Sequence, residues 1–106
     1  MNIFQQLFGG GATIDLKEIM DKGAFLVDVR TPGEFATGHV KGSVNIPLDR
    51  IAGELSKFKN KPNIVVFCKS GGRSSQAKAI LEKNGFNNVI NGGTWDHVAK
   101  FVKPGR

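Results

Sequence analysis

The fold is decided by residues 63–74, which read NIVVFCKSGGRS. Residues 63–67 have strand character, and a helix-forming segment takes over from about Ser74. Cys68, the only cysteine of the chain, therefore lies at a strand-to-helix turn. At such a turn the N–H groups of the loop and of the first helical turn lack partners within the helix and face whatever lies between them. The sequence thus predicts an anion site around the cysteine.

The residues of this loop favour an ionised thiol. A helix N-terminus carries about half a unit of positive charge and can bring a cysteine pKa from about 8.5 into a range of roughly 3.5 to 7.5. Gly71 and Gly72 are expected to adopt positive φ and to keep their N–H groups close to a bound group, and Arg73 adds a permanent charge. A lone cysteine after an apolar strand is more often a small buried residue. Such a residue does not need Lys69, Ser70, two glycines and an arginine directly after it.

Length and composition indicate one soluble domain. The chain has 106 residues, of which 40% are hydrophobic and 23% charged; this is enough for one core. A single cysteine excludes an internal disulfide, a CxxC pair and a cysteine-based zinc site, and it is compatible with a reducing compartment. No apolar run approaches the roughly 18 to 20 residues of a membrane span, and the N-terminus lacks the features of a signal peptide, so the expected location is cytoplasmic.

The net charge of +6 favours anionic ligands. Lys57, Lys59 and Lys61 are close in sequence, but aromatic residues are not interleaved with them. They therefore indicate a solvated rim and no nucleic-acid surface.

Near-continuous apolar runs separated by helices predict a parallel sheet covered on both faces. The expected strands are residues 12–14, 24–30, 43–46, 63–67 and 86–90, followed by a turn at 91–93. The expected helices are 16–22, a short one from Pro32, 48–58, 74–84 and one capped by Thr94. Residues 12–102 form the predicted domain, and residues 103–106 a frayed tail. Residues 1–11 precede the domain; their apolar side chains at helical spacing favour a short helix packed on the body, with a partner or interfacial surface as the alternative.

Two polar positions have structural explanations available. Thr31 and Glu34 have the spacing of a capping box, so Glu34 can cap a helix, pair with Arg73, or do both. His39 has no second ligand at metal spacing, which favours a hydrogen-bonded structural residue over a catalytic base. Trp95 is expected in the core or in a pocket wall.

The motifs follow one another in a familiar order. They are Asp28-Val29-Arg30, Glu34-Phe35 with Gly38-His39-Val40, GSVNIP at residues 42–47, Cys68 with Gly71 and Arg73-Ser74, and Gly92-Gly93 with Trp95. In this order and spacing, the chain resembles a single-domain rhodanese-like sulfurtransferase over residues 12–101. The resemblance implies a three-layer α/β/α fold with a parallel sheet of about five strands, in which the Cys68 strand lies centrally beside the Asp28 strand.

The resemblance also implies a reaction. The cysteine takes sulfane sulfur from a small anionic donor such as thiosulfate, holds it as a persulfide and passes it to cyanide or a thiol. A protein can also be the sulfur acceptor. An ionised thiol needs no general base, and neither a cofactor nor a metal is expected. Because there is no second cysteine, release by an internal disulfide is excluded, so the acceptor comes from outside.

We expect the following roles at the site. Cys68 is the nucleophile, the N–H groups of residues 69–74 cradle the persulfide, and Lys69 is a mobile charge that meets the donor. Arg73 either binds donor oxygens or turns to a carboxylate such as Glu34 or Asp28; the second is favoured because a buried arginine needs a partner. The supporting residues are Asp28, Arg30 and Glu34.

Other functions fit parts of the pattern. Cysteine-dependent phosphatases have five residues between cysteine and arginine and a histidine before the cysteine, whereas here four residues intervene and Phe67 precedes Cys68. The tighter loop suits a sulfur atom better than a phosphate. A persulfide carrier would have the same sequence features, and a non-catalytic rhodanese-like binding module is usually recognised by a lost cysteine.

Overall fold

The computed structural model describes residues 15–102. In this part of the chain four parallel strands form one sheet in the order β2-β1-β3-β4. The strands are β1 (Phe25–Asp28), β2 (Val44–Asn45), β3 (Ile64–Cys68) and β4 (Val89–Thr94). The α-helices are α1 (Leu16–Asp21), α2 (Pro32–Ala36), α3 (Gly72–Lys83) and α4 (Trp95–Ala99), and two 3₁₀ helices span Leu48–Gly53 and Leu55–Phe58. The expected fifth strand at 12–14 lies outside the described residues, as do the expected helix at 1–8 and the tail at 103–106.

The sheet is covered on both faces, which confirms the predicted three-layer α/β/α fold. All five residues of β3 are buried. Side chains alternate along a strand, so Ile64, Val66 and Cys68 point to one face and Val65 and Phe67 to the other. The first face packs against α3 and the 3₁₀ helices, and the second against α1 and α4. The cysteine side chain therefore points towards α3. Among the described residues, no helix has the length and apolar character needed to cross a membrane.

The prediction of one continuous helix over residues 48–58 is wrong. The segment forms two 3₁₀ helices that are separated at Glu54, whose φ of −124° and ψ of 27° are not helical. Leu48 and Ile51, like Leu55 and Phe58, are three residues apart, and a period of three places both members of each pair on one side of a 3₁₀ helix. Gly53 further weakens a continuous α-helix at the junction.

The turn expected at residues 91–93 is also wrong, because these residues belong to β4. Val66 pairs with Asn91 but Phe67 pairs with Gly93, so Gly92 is the extra residue of a β-bulge. A Cβ on Gly92 would lie 2.7 Å from Val98 and 3.0 Å from Val65. The glycine pair is thus explained by the close approach of β4 to α4. In the sequence, a glycine pair that allows such an approach looks the same as one that forms a turn.

Candidate active site

Cys68 ends the central strand, and α3 begins only four residues later. The helix starts at Gly72, two residues before the expected start near Ser74, so Arg73 and Ser74 lie in its first turn. Gly71 is the N-cap residue and has a φ of 97°. That conformation costs other residues about 1–2 kcal/mol, which explains a glycine here. The expectation of positive φ at Gly72 is wrong, since Gly72 already has helical geometry.

The sulfur of Cys68 lies at the floor of this loop. The N–H of Gly71 donates to Sγ over 3.0 Å, and Ser74 Oγ lies 3.6 Å from Sγ. Cys68 and Ser74 are both fully buried. Burial raises the pKa of the thiol, but hydrogen bonds from the Ser74 side chain and from the N–H groups of Ser74, Ser70 and Gly71 together hold that pKa below its ordinary value of 9.0. The loop therefore stabilises negative charge on the sulfur, in the direction predicted from the sequence.

Arg73 pairs with Glu34, as the favoured alternative predicted. Its Nη1 and Nη2 donate to the two carboxylate oxygens over 2.7 and 3.0 Å. Glu34 also completes the capping box of α2, because the N–H of Thr31 donates to its Oε1 over 3.0 Å. The guanidinium, followed by the Thr31 N–H, lowers the pKa of Glu34 from 4.5 to about 2. Glu34 thus has both roles that the sequence left open, and it ties the cysteine loop to α2.

Asp28 pairs with Arg30 and not with Arg73. Nε of Arg30 donates to both Asp28 oxygens over 2.9 and 3.0 Å, and its Nη2 donates to Asp28 over 2.7 Å and to the Gly38 carbonyl over 2.7 Å. Arg30 also stacks on Trp95, with its guanidinium carbon 4.6 Å from the ring centroid. Both charged residues are buried. The pair fixes the chain that follows β1, and Trp95 is partly buried against the core on the face covered by α1 and α4.

The remaining predicted site residues lie at the surface. Lys69 and Ser70 are exposed, and the role of Lys69 towards a donor stays a prediction. His39 is exposed, and its Nδ1 lies 2.9 Å from the Phe35 carbonyl oxygen, which fits the structural role expected for it. Within residues 15–102, no group of three or more His, Cys, Asp or Glu side chains is arranged to hold a metal.

Asn91 is a site residue that the sequence analysis missed. Its Oδ1 accepts hydrogen bonds from Ser74 Oγ over 2.7 Å and from the Gly93 N–H over 2.9 Å. The sequence presented it only as part of a turn. Its contact with Ser74 exists because β4 lies beside β3 in register, with Val66 opposite Asn91.

A cavity of about 230 Å³ adjoins Arg73. Its walls are formed by residues that follow β1, residues that follow β2, and the arginine. They are Val29, Thr31, Pro47, Leu48, Asp49 and Arg73. Parallel sheets of this kind bind ligands at the carboxyl ends of their strands, and Cys68 lies at the same end. The site therefore combines a buried cysteine and a cradle of N–H donors with a cavity beside Arg73 at the same end of the sheet.

Comparison with known proteins agrees with this geometry. The model of the rhodanese-like domain family matches residues 13–94, and the chain belongs to that family. A putative mitochondrial thiosulfate sulfurtransferase of Schizosaccharomyces pombe is 40% identical over 89 residues, which cover 71% of this chain and 63% of that protein. The thiosulfate sulfurtransferase PspE of Escherichia coli is 35% identical over 75 residues, covering 69% of this chain and 72% of the relative.

A solved structure, described as rhodanese with anions from E. coli, is 33% identical and superposes with a TM-score of 0.65. The match covers 72% of this chain and 92% of that one. The chain spans less than two thirds of the length of several of the curated relatives that it matches.

Proposed function

We propose that this protein transfers sulfane sulfur from a small anionic donor such as thiosulfate to cyanide or a thiol, through a persulfide on Cys68. The observation that carries the proposal is the 3.0 Å hydrogen bond from the Gly71 N–H to Sγ. It directs a backbone donor at the atom that is negative as a thiolate and remains next to negative charge as a persulfide. Membership of the rhodanese-like family supports the same chemistry. The proposed setting is the cytoplasm, where reducing conditions keep a lone thiol free.

The proposed reaction has two displacement steps. The Cys68 thiolate, whose proton has gone to water, attacks the outer sulfur of thiosulfate. A new S–S bond forms on the cysteine, the bond to the sulfite sulfur breaks, and sulfite leaves with that electron pair. Cyanide then attacks the outer persulfide sulfur, thiocyanate departs, and the electron pair of the S–S bond returns to the Cys68 thiolate. With a thiol as the attacking nucleophile, the second product is the persulfide of that thiol.

Each part of the loop has a role in these steps. The N–H groups around Sγ hold the negative charge that the outer sulfur carries once it is bound. Both terminal nitrogens of Arg73 are engaged by Glu34, so the arginine shapes the loop. Exposed Lys69 then supplies the charge that attracts an anionic donor. Because Cys68 is fully buried, a donor can reach Sγ only when the loop around it opens.

Intact-protein mass tests the proposal. After incubation with thiosulfate and removal of excess donor, the protein should gain about 32 Da, and cyanide should remove that gain while producing thiocyanate. The Cys68→Ser variant should keep the fold, since the volume changes little, and show no gain in mass. A sulfur that loads but is not released by cyanide or a small thiol would instead assign a carrier that needs a protein acceptor.

Two results of the mass measurement would contradict the proposed sulfur transfer. A reduced, folded sample that gains no sulfur would overturn the proposal, and so would a Cys68→Ser variant that still gains it. Hydrolysis of a phosphate ester by such a sample would assign the phosphatase alternative.

A further inference from the structure

The side chain of Asn91 determines where the Ser74 hydroxyl proton points. Oδ1 of Asn91 accepts the Gly93 N–H over 2.9 Å, so the carbonyl end of the amide, and not its NH₂ end, faces this corner. Ser74 Oγ lies 2.7 Å from the same oxygen. A carbonyl oxygen can only accept, so the hydroxyl must be the donor in this contact. While the thiol of Cys68 is neutral, the proton of Ser74 is thereby directed away from the cysteine, and the S–H donates to Ser74 Oγ.

Ser74 has one hydroxyl proton and three acceptors within reach. They are Asn91 Oδ1 at 2.7 Å, the Gly71 carbonyl at 3.0 Å and Cys68 Sγ at 3.6 Å. While the proton is on the Asn91 side, the oxygen lone pairs face the sulfur and accept the S–H of the neutral thiol. The hydroxyl stabilises a thiolate only when its proton turns to the sulfur. Thus Asn91 and the thiolate draw on the same proton.

We propose that Asn91 is a positioning residue that competes with the Cys68 thiolate for the single proton of Ser74, and so keeps the nucleophile less ionised than its loop alone would make it. The inference rests on the proposed role of Cys68 as the nucleophile. It assigns to β4 a control over the reactivity of a cysteine on the neighbouring strand.

Such control has a chemical use. The nucleophilicity of a thiolate falls as its pKa falls, and the best attacking thiol has a pKa near the ambient pH. The loop N–H groups, acting alone, would produce an abundant but weakly nucleophilic thiolate. Because Asn91 competes for the Ser74 hydroxyl proton, the pKa of the Cys68 thiol moves back towards that optimum.

Among the described residues, the Asn91 side chain hydrogen-bonds the Ser74 hydroxyl and the Gly93 N–H, and neither partner is charged. Arg73 from α3 is paired with Glu34 of α2, and Asp28 of β1 with Arg30. The loop contributes Lys69, and the first turn of α4 contributes Asp96 and His97, all exposed. The six residues of β4, VINGGT, include no titratable side chain. A change at Asn91 therefore acts on the sulfur through Ser74 and not through a neighbouring charge.

The pH dependence of Cys68 alkylation by iodoacetamide, measured on the full chain without any sulfur donor, tests the proposal. Asn91→Ala should lower the thiol pKa by about 0.5 to 1 unit, because the Ser74 proton then has only the Gly71 carbonyl, at 3.0 Å, as an acceptor that competes with the thiolate. The rate constant on the high-pH plateau should fall about twofold to threefold, since a less basic thiolate is a weaker nucleophile. Asn88→Ala is the matched control, because its amide bonds the Lys61 and Pro62 carbonyls at the start of β3 and should leave the pKa unchanged.

A double variant separates this role from a merely structural one. In a Ser74→Ala background, Asn91→Ala should no longer lower the pKa, because the shared proton is gone. A pKa that is unchanged or raised in Asn91→Ala, or an equal fall in the Ser74→Ala background, would overturn the proposal. The readout needs no sulfur transfer, so a chain that fails to gain sulfur from thiosulfate but shows the pKa shift would refute the proposed function alone.

Discussion

Arg73, at the start of the helix that follows Cys68, pairs with Glu34, which is 39 positions away in sequence. Its two terminal nitrogens meet both oxygens of one carboxylate at 2.7 and 3.0 Å, and about a third of each side chain is exposed. A bidentate pair of this kind has a defined orientation, which a single lysine does not provide. We therefore propose that backbone N–H groups and Lys69, and not Arg73, meet the charge of a bound sulfur compound.

The Glu34 carboxylate should make stability depend on pH in acid. Its pKa in the fold is about 2 and its ordinary value is 4.5, so its contribution is complete above about pH 4.5 and is lost as the pH falls through about 2. The difference in the free energy of unfolding between the unmodified chain and Glu34→Gln should be constant above about pH 4.5 and shrink below it. Urea unfolding at several pH values measures this difference.

Glu82→Gln is the matched control for that experiment. Glu82 forms an exposed pair with Lys78 four residues earlier on α3, and such pairs contribute little at any pH. A difference for Glu34→Gln that stays constant down to about pH 2 would contradict the pairing.

At the scale of elements, the bulge in β4 connects the sheet to α4. Gly92 is buried against Val65 of β3 and Val98 of α4, and the bulge places Asn91 and Gly93 on either side of it. Both contacting side chains are β-branched and stiff, so they cannot turn aside cheaply. The extra residue also brings Thr94 opposite Cys68, where α4 begins.

Gly92→Ala should therefore destabilise the protein by about 1–3 kcal/mol, as overpacking of a filled core does. The added Cβ would lie 2.7 Å from Val98 Cγ2 and 3.0 Å from Val65 Cγ1. The free energy of unfolding in urea gives the effect. Gly33→Ala is the control, since Gly33 lies in α2 with open space around it and helical φ; it should leave stability unchanged or raise it by about 0.4–1 kcal/mol. Equal stability of Gly92→Ala and the unmodified chain would show that β4 and α4 are less closely packed.

At the scale of the whole molecule, a net charge of +6 surrounds a site that is proposed to bind anions. The parallel sheet separates the surface lysines into those near the two ends of its strands. Lys69 follows β3 at its carboxyl end, whereas Lys59 precedes β3, and the five residues of the strand extend about 13 Å between those ends. Both side chains belong to exposed residues.

Lys69→Ala should slow sulfur loading from thiosulfate more than Lys59→Ala, although both remove one charge. We expect about a threefold lower second-order rate constant for Lys69→Ala at low ionic strength, and a smaller effect for Lys59→Ala. The difference should disappear between about 0.01 M and 1 M salt, as the screening length falls from about 30 Å to about 3 Å. Rates of mass gain with thiosulfate measure it. Equal rates for the two variants at low salt would show that Lys69 points away from the donor.

The sequence alone determined the α/β/α layers and most of the elements, because those depend on local patterns. An apolar run followed by a cysteine, glycines and a helix start can only place Cys68 at the end of a buried strand. An arginine that is only partly exposed favours a carboxylate partner, and Glu34 was already one of two named partners of Arg73. The same local rules misjudged residues 48–58 and 91–93, where packing against β3, α3 and α4 selected 3₁₀ geometry and a bulge.

Only the tertiary structure decided which polar groups meet. Asp28 turned to Arg30, two residues away, leaving Glu34 for Arg73. The contact of Asn91 with Ser74 depends on the register of β4 against β3 and on one extra residue at Gly92. A shift of that register by one residue would turn the Asn91 side chain to the other face of the sheet. The alternation of side chains between the two faces of a sheet is a property of each strand and can be read from its sequence. Register depends on how whole elements pack against one another. The contact of Asn91 with Ser74 can therefore be recognised only in the folded chain.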